Sequence, residues 1–98
     1  MPALIWDEAK REANLRKHGL DFIDAVRVID SPYRFDVLTA RHGEQRVQML
    51  AYVFETLAVL SVIAVPGDPL RIVSFRRASA EEREAYHEWL ETDFDEDE

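Results

Sequence analysis

The segment LRIVSFRRASAEEREAY, residues 70–86, predicts a strand that is followed directly by a helix. Residues 70–75 alternate in character and are rich in β-branched side chains, which is typical of a strand. Ser79 then precedes Glu82 with the spacing of a capping box, in which the serine is the N-cap and the glutamate is the third helical residue. This segment therefore predicts a strand-to-helix corner.

Three arginines lie at this corner, at positions 71, 76 and 77. Side chains of an extended strand point alternately to its two faces. The neighbours Arg76 and Arg77 are therefore expected on opposite faces of the sheet, with Arg71 on the face of Arg77. Such a cluster of guanidinium groups is interpreted as a site for a phosphate-like anion or as an anchor for acidic side chains of the next helix. The pattern alone leaves both interpretations open.

The chain has 98 residues, which is the size of a single domain. A hydrophobic fraction of 47% indicates a globular fold, and the lack of cysteine excludes disulfides, thiolate metal ligands and thiol nucleophiles. The N-terminus lacks the pattern of a signal peptide, and no apolar run approaches the roughly 20 residues of a membrane helix. A cytoplasmic protein without membrane contact is expected.

The net charge of −8 is concentrated at the C-terminal end. From Glu81 onward the chain has ten acidic residues and one arginine, whereas residues 1–80 carry a net charge of +1. Residues 1–91 are expected to form the domain, and residues 92–98 an acidic, disordered tail. The nearly neutral body leaves RNA or another phosphate ligand open as a partner.

Two helices are predicted before the sheet. Asp7 has the position of an N-cap and Gly19 that of the residue after the last turn, so the first helix covers residues 8–18. The thin apolar face of this helix consists of Ala9, Ala13 and Leu15. Asp21 begins the second helix, which ends at Asp30-Ser31-Pro32.

From Tyr33 onward the hydrophobic period changes to two residues, which predicts four strands with short connections. They cover residues 33–37, 47–53, 57–65 and 70–75. A final helix over residues 80–90 is expected to bury Ala85, Tyr86, Trp89 and Leu90. The predicted fold class is α+β, with two N-terminal helices, a four-stranded, mostly antiparallel sheet and a C-terminal helix.

The chemistry that remains is cationic. The chain has neither a glycine-rich phosphate loop nor the paired histidine spacings of a zinc site, so no metal or other cofactor is expected. The candidate residues are Lys17, His18, Arg46, Arg71, Arg76 and Arg77, with Glu44 and Tyr86 as possible partners. RNA cleavage through the 2′-hydroxyl needs a base, a cation for the phosphorane and an acid. Arginine suits the cationic role, and a histidine suits proton transfer near neutral pH.

Each of these residues also has an ordinary structural interpretation. Lys17 and His18 lie in the last turn of a helix, where cations complement the helix dipole. Arg46 occupies an alternating strand, where it is expected on a solvated face. The corner arginines are also placed to pair with the glutamates of the following helix.

A set of spaced residues resembles the BrnT toxins of bacterial type II toxin–antitoxin pairs. The matching blocks are Trp6-Asp7, Lys10, Asn14, Lys17-His18-Gly19, Phe22, Ala25, Gly43-Glu44, Arg46, Arg71-Ile72-Val73-Ser74, Arg76-Arg77-Ala78, Glu82-Arg83 and Tyr86. The likeness implies a fold similar to RelE ribonucleases and a metal-independent endoribonuclease that cleaves RNA and arrests growth. It also implies a BrnA-like ribbon-helix-helix antitoxin, which neutralises the toxin and through which alone operator DNA is contacted.

With that resemblance, the expected catalytic residues are Lys17, His18, Arg46, Arg76 and Arg77, and the expected RNA-binding residues are Arg71 and Lys10. Arg76 and Arg77 would clamp the scissile phosphate. The alternative is a catalytically weak or inactive toxin-like protein that binds the antitoxin as a co-repressor. Departures from the family pattern at Ile63-Ala64-Val65 and at Phe75 favour this alternative.

Overall fold

A computed structural model describes residues 3–95, and side chains as far as Thr92. In chain order its elements are β1 (Leu4–Ile5), α1 (Glu8–His18), a 3₁₀ turn (Phe22–Ala25), α2 (Val26–Ile29), β2 (Phe35–Arg41), β3 (Glu44–Val53), β4 (Ala58–Val65), β5 (Leu70–Arg77) and α3 (Ala80–Asp95). Within residues 3–95, none of the helices combines the length and the apolar character needed to span a bilayer.

The sheet has five strands in the order β1-β5-β4-β3-β2. Neighbouring strands are antiparallel except β1, which pairs in parallel with β5 so that Leu4 lies opposite Leu70. The α+β class and the four antiparallel strands are confirmed, whereas the sheet is mixed and has one more strand than predicted. β1 is only two residues long, so it carries no hydrophobic period that the sequence could reveal.

The two faces of the sheet have separate cores. The inner face, which packs against α1, the 3₁₀ turn and α2, is formed by alternate residues of β3, β4 and β5 together with Phe22, Ala25, Val28 and Ile29. The opposite face, here called the α3 face, packs against α3 through Leu50, Val59, Tyr86 and Trp89. The single helix α3 covers only part of its face, and this leaves room for a polar surface.

The first helix has the predicted ends but not the predicted buried face. The Asp7 carboxylate accepts hydrogen bonds from the backbone N–H groups of Ala9 (2.9 Å) and Lys10 (3.1 Å), and Gly19 has a φ of +71° after the last turn. The expected apolar residues, however, are exposed, and Asn14 is the buried residue of α1. The prediction was wrong because α1 docks against the border of β5, where backbone groups require polar partners.

Asn14 makes those contacts with its amide. Its Nδ2 donates to the carbonyl oxygens of Phe75 (2.7 Å) and Leu20 (3.0 Å), and its Oδ1 accepts from the N–H of Phe75 (3.1 Å). One side chain therefore pairs with both backbone groups of Phe75, as a neighbouring strand would. This fixes the C-terminal half of α1 beside the residue that precedes Arg76.

A β-bulge interrupts the pairing of β4 with β5. Ile63 lies opposite Ser74, and Ala64 lies opposite Ile72, so Val73 is the extra residue of the bulged strand. An extra residue shifts the alternation of side chains by one position on one side of the bulge.

The bulge changes which arginine shares a face with which. Ile72 and Phe75 both join the inner core, although strict alternation placed them on opposite faces. Arg71 consequently lies on the α3 face with Arg76, and its predicted grouping with Arg77 was wrong. Arg77 pairs with Leu60 of the inner core, and Arg76 pairs with Ser61, so the two neighbours lie on opposite faces as expected.

The capping box at the start of α3 is confirmed. Ser79 Oγ accepts from the N–H of Glu82 (3.2 Å), and the Glu82 carboxylate accepts from the N–H of Ser79 (2.8 Å). The helix continues to Asp95, beyond its expected end at residue 90. Ala85 is exposed rather than buried, because α3 contacts the sheet along the side that carries Tyr86. The last residues of the expected tail, 96–98, lie outside the described residues.

The second predicted helix is a 3₁₀ turn that continues into the short helix α2. Asp21 caps it by accepting a hydrogen bond from the N–H of Ile23 (3.2 Å). The next strand begins at Phe35 instead of Tyr33. These differences leave the element order unchanged.

Candidate functional site

A polar surface occupies the part of the α3 face that α3 leaves open. Seven residues form this arginine patch: Glu44, Arg46, Gln48, Ser61, Arg71, Arg76 and Glu82. The first three are alternate residues of β3 and therefore point to one face, and Ser61 lies opposite Arg76 in the pairing of β4 with β5. Glu82 projects from the first turn of α3. Three strands and a helix start thus converge on one surface.

The strongest contact in the patch is a bidentate ion pair between Arg76 and Glu82. Arg76 Nη1 lies 2.8 Å from Glu82 Oε1, and Nη2 lies 3.0 Å from Oε2. Arg76 Nη1 also donates to the backbone carbonyl oxygen of Arg77 (3.1 Å). A planar guanidinium held at two corners has a fixed orientation, which a single contact would not give it.

Gln48, which is half-buried, holds Glu82 in turn. Gln48 Nε2 donates to Glu82 Oε2 (2.7 Å) and to the hydroxyl of Ser61 (3.0 Å), which is 0% exposed. The hydrogen bonds from Arg76 lower the pKa of Glu82 to about 2, against the opposing effect of partial burial. The contact with Glu82 raises the pKa of Arg76. Both groups are therefore charged at neutral pH.

A second carboxylate, Glu44, joins the other two arginines of the patch. It accepts from Nε and Nη2 of Arg46, both at 3.3 Å, and from Nη2 of Arg71 at 2.8 Å. These contacts connect the start of β3 with the start of β5. Glu44, which the sequence had indicated as a possible partner of the cationic residues, is thus a shared ion-pair partner of two arginines.

His18 is the last residue of α1, the helix whose Asn14 holds the backbone of Phe75 next to Arg76. His18 is half-buried, and its pKa is lowered from 6.5 by partial burial, then by the charge of Lys17, then by that of Arg76. Burial is the largest of these causes, and the charge of Arg76 is the smallest. A histidine with a lowered pKa is mainly neutral at pH 7 and is able to accept a proton. Lys17 is exposed beside it.

Two of the predicted site residues lie apart from the patch. Arg77 is exposed and belongs to the inner face of the sheet, and Lys10 is exposed near the start of α1. Seven residues of helix separate Lys10 from Lys17, which is about 10 Å along the axis. Tyr86 is buried in the core under α3, where its hydroxyl donates to the carbonyl oxygen of Tyr33 (2.7 Å). The structure therefore brings together Arg46, Arg71 and Arg76, and the charge of Arg76 contributes to the lowered pKa of His18, with Lys17 adjacent in sequence.

Sequence reasoning missed the neutral members of this network. Gln48 and Ser61 were treated only as strand residues, whereas Glu82 was expected both as a cap and, with its neighbouring glutamates, as a partner of the corner arginines. Arg46 and Gln48 lie two residues apart on β3, and this spacing was the signal that pointed to a shared polar face.

Phe75, which departs from the family pattern, is 1% exposed in the inner core and so points away from the patch. Ile63, in contrast, lies on the α3 face, opposite Ser74.

Within the part of the chain that the structure describes, no group of three or more histidine and acidic side chains is arranged to hold a metal ion. The carboxylates of the patch contact guanidinium groups instead.

A comparison with protein-family models gives one match that covers most of this architecture. Residues 6–82 match the family described as the ribonuclease toxin BrnT of type II toxin–antitoxin systems. The chain belongs to the BrnT toxin family. The matched range extends from the entry to α1 as far as Glu82, so every residue of the arginine patch lies within the BrnT region. A comparison with curated proteins gives no match.

Proposed function

We propose that His18 and the arginine patch form the active site of a metal-independent endoribonuclease. One observation carries the proposal: Glu82 holds the Arg76 guanidinium through two contacts of 2.8 and 3.0 Å, on the face that also carries Arg46 and Arg71. The pKa of His18 is lowered by burial, by Lys17 and by Arg76, which adds a neutral base. The description of the BrnT family as ribonuclease toxins supports the same reaction class. An oriented cation and a neutral base supply two of the three functions that cleavage through the 2′-hydroxyl requires.

The reaction follows from these positions. Neutral His18 accepts the proton of the ribose 2′-hydroxyl, and the 2′-oxygen forms a bond with the adjacent phosphorus. Arg76 stabilises the negative charge that develops on the phosphorane oxygens. The bond from phosphorus to the 5′-oxygen then breaks, and the Lys17 ammonium protonates that oxygen. The products are a 2′,3′-cyclic phosphate and a 5′-hydroxyl terminus.

Arg76 retains donors for this role. Its contacts with Glu82 and with the carbonyl of Arg77 use three of its N–H groups. A guanidinium has five N–H groups, so about two remain for phosphate oxygens. The side chain of Arg76 is 29% exposed, which gives an RNA phosphate access to it.

The remaining cations bind the RNA backbone on either side of the scissile phosphate. Arg46 and Arg71, which Glu44 brings together, contact neighbouring phosphates on the α3 face. Arg77 and Lys10 lie away from the patch, so they contact RNA phosphates that are more distant from the scissile phosphate. Arg77 therefore binds RNA without sharing the scissile phosphate with Arg76.

The cellular role follows from the family. The protein acts in the cytoplasm as the toxin of a type II pair and arrests growth by cleaving RNA. A BrnA-like ribbon-helix-helix antitoxin neutralises it, and operator DNA is contacted through that antitoxin. The membership of the chain in a type II toxin family supports an antitoxin as partner.

One observation favours the second candidate, a co-repressor with little or no activity. Arg46, Arg71 and Arg76 each already contact a carboxylate, so an RNA phosphate must compete with Glu44 and Glu82. In that case the same surface binds acidic residues of the antitoxin instead of RNA.

The test is RNA cleavage by the purified protein in the presence of EDTA. The wild type is expected to produce 2′,3′-cyclic phosphate ends, and Arg76→Gln to reduce the rate by about 10² to 10³. Arg34→Gln is the matched control, because Arg34 has a similar exposure and its Nε lies 2.8 Å from Asp36 outside the patch.

Three results decide between the alternatives. Folded wild type that leaves RNA intact overturns the nuclease and leaves the co-repressor. Cleavage that EDTA abolishes contradicts metal independence. An Arg76→Gln variant as active as Arg34→Gln removes the arginine patch as the active site.

A further inference from the structure

An apolar groove lies at the other end of the α3 face. Its volume is about 690 Å³, and its walls are the loop after α2, the end of β3 with the turn that follows, and one side of α3. Its lining includes the apolar or aromatic side chains of Pro32, Tyr33, Tyr52, Phe54 and Leu90. Phe54 is 79% exposed and Tyr52 is 37% exposed. Exposed aromatic side chains around a concave surface mark a binding site for another molecule.

The groove is preformed. The Tyr86 hydroxyl at its base donates to the carbonyl oxygen of Tyr33 (2.7 Å) and accepts from the N–H of Tyr52 (3.3 Å). The rings of Tyr52 and Phe54 pack edge to face with centroids 5.2 Å apart. Because these contacts join the loop, β3 and α3, a ligand would meet a rigid surface and lose little conformational entropy on binding.

The border of the groove along α3 is acidic. His87 lines the groove and also the outer surface of α3, which carries Glu84, Glu88 and Glu91. Residues three and four apart lie on the same side of a helix, so Glu84 and Glu91 flank His87. On the opposite wall Arg27 Nη1 lies 2.7 Å from Glu55, which neutralises the cation there. The surface around the groove is therefore negative overall.

We propose that this groove binds an amphipathic, cationic helix of a partner protein. Apolar residues of such a helix, spaced at i, i+3, i+4 and i+7, fill the space around Phe54 and Leu90. Lysine and arginine residues along one flank then face Glu84 and Glu91 of α3. The charge of the border selects a basic helix over an acidic one. This inference does not depend on the nuclease, because it uses none of the residues of the arginine patch.

The groove and the arginine patch are separate surfaces. Arg46 and Tyr52 lie six residues apart on β3, which is about 20 Å along a strand. Arg76 is nearer, because it lies opposite Ser61, which pairs with Leu50, two residues before Tyr52. The groove and the patch nevertheless share no residue. Binding at the groove is expected to be independent of anion binding at the patch.

The experiment uses the full-length protein and a fluorescein-labelled helical peptide of about 18 residues, or five turns. The peptide carries leucine at the four spaced positions and lysine or arginine along one flank. One comparison peptide has the same composition in scrambled order, and the other has glutamate in place of the basic residues. Fluorescence anisotropy is expected to show the basic amphipathic peptide binding about tenfold more tightly than either comparison peptide.

Variants of the protein locate the binding surface. Phe54→Ser is expected to weaken binding about five- to tenfold, because it removes exposed apolar surface in the groove. Leu38→Ser is its matched control, since Leu38 is 84% exposed on β2 outside the groove. Glu91→Lys is expected to weaken binding severalfold, whereas the control Glu12→Lys, at another exposed glutamate, and the patch variant Arg76→Gln leave it unchanged.

Four outcomes overturn the proposal. The scrambled peptide binds as tightly as the amphipathic one, or Leu38→Ser weakens binding as much as Phe54→Ser. Sedimentation shows a wild-type dimer that Phe54→Ser dissociates, which assigns the groove to a second copy of this chain. Removal of residues 93–98 tightens peptide binding at least tenfold, which assigns the groove to the chain's own C-terminal end.

Discussion

Glu82 and Glu44 both neutralise arginines of the patch, but the chain anchors them differently. Glu82 accepts hydrogen bonds from Arg76, from Gln48 and from the backbone N–H of Ser79. Among the described residues, Glu44 accepts only from the side chains of two arginines. Glu82 is therefore part of the helix start and of a buried network, whereas Glu44 is held only by the cations that it neutralises.

This difference bears on how RNA enters the patch. A phosphate that replaces Glu44 breaks contacts between partly exposed side chains, which are worth little in water. A phosphate that replaces Glu82 also breaks a helix cap and leaves the amide of Gln48 without its acceptor. We therefore expect RNA to displace Glu44, while Glu82 continues to hold Arg76.

The largest expected difference between the two carboxylates is in stability. Glu82→Ala removes the ion pair, the reciprocal cap and the acceptor of Gln48, and we expect it to lower the free energy of unfolding by about 2 to 4 kcal/mol. Glu44→Ala removes partly exposed contacts, and we expect a loss below about 1 kcal/mol. Urea unfolding at pH 7 measures both. Equal losses would show that the two carboxylates are anchored alike.

The pH dependence of stability is the next test. The pKa of Glu82 is about 2 in the folded protein and 4.5 in the reference state, so the unfolded chain binds the proton more tightly. The stabilisation by this group is complete above about pH 4.5 and is lost as the pH falls towards 2. It amounts to on the order of 2 to 3 kcal/mol, allowing for partial exposure.

Glu82→Gln is therefore expected to flatten the dependence of the free energy of unfolding on pH between about 4.5 and 2. Chemical denaturation of the variant and of the wild type at a series of pH values measures this slope. A Glu82→Gln variant with the wild-type slope would disprove the assignment of this titration to Glu82.

A smaller difference is expected in RNA affinity. Glu44→Gln removes a negative charge that competes with phosphate for Arg46 and Arg71, so binding of a non-cleavable 2′-O-methyl RNA is expected to tighten about three- to tenfold at low salt. Glu82→Gln is expected to give a smaller gain in RNA affinity, because Arg76 loses its fixed orientation. Fluorescence anisotropy with Glu12→Gln as control measures both. A larger gain for Glu82→Gln than for Glu44→Gln would reverse the proposed order of displacement.

The smallest expected effect is on the pKa of His18. The charges of Lys17 and Arg76 lower this pKa, so Lys17→Gln and Arg76→Gln should each raise it towards 6.5. Arg71→Gln, at the Glu44 end of the patch, should leave it unchanged. An NMR titration of the imidazole Hε1 signal measures the shift. If Arg76→Gln does not move the titration, His18 is not coupled to the Arg76 end of the patch.

The sequence predicted the features that depend on neighbouring residues. Asp7, Gly19 and the Ser79–Glu82 capping box define helix ends through contacts within a few residues, and all of them occur in the structure. The corner arginines were likewise expected to meet either an anion or acidic side chains. The structure shows Arg76 paired with the acidic side chain of Glu82. The description of the BrnT family as ribonuclease toxins is what favours an anion as a further ligand of this surface.

The features that the sequence did not predict depend on distant parts of the chain. The bulge at Val73 arises from the pairing of β5 with β4, and it reverses the face of Arg71. β1 exists only because two residues meet β5. Asn14 is buried because it contacts Phe75, which lies 61 positions away in sequence. No local period records these contacts, so an expectation built on alternation and propensity cannot contain them.

The Asn14 amide also bears on self-association. β1 pairs with β5 only at Leu70 and Arg71, so the rest of β5 is an edge of the sheet. Open strand borders recruit strands from other molecules and lead to aggregation. Asn14 occupies both backbone groups of Phe75, and α1 lies beside them, which blocks the addition of a foreign strand there. Growth of the sheet between molecules is therefore expected at β2, on the opposite border.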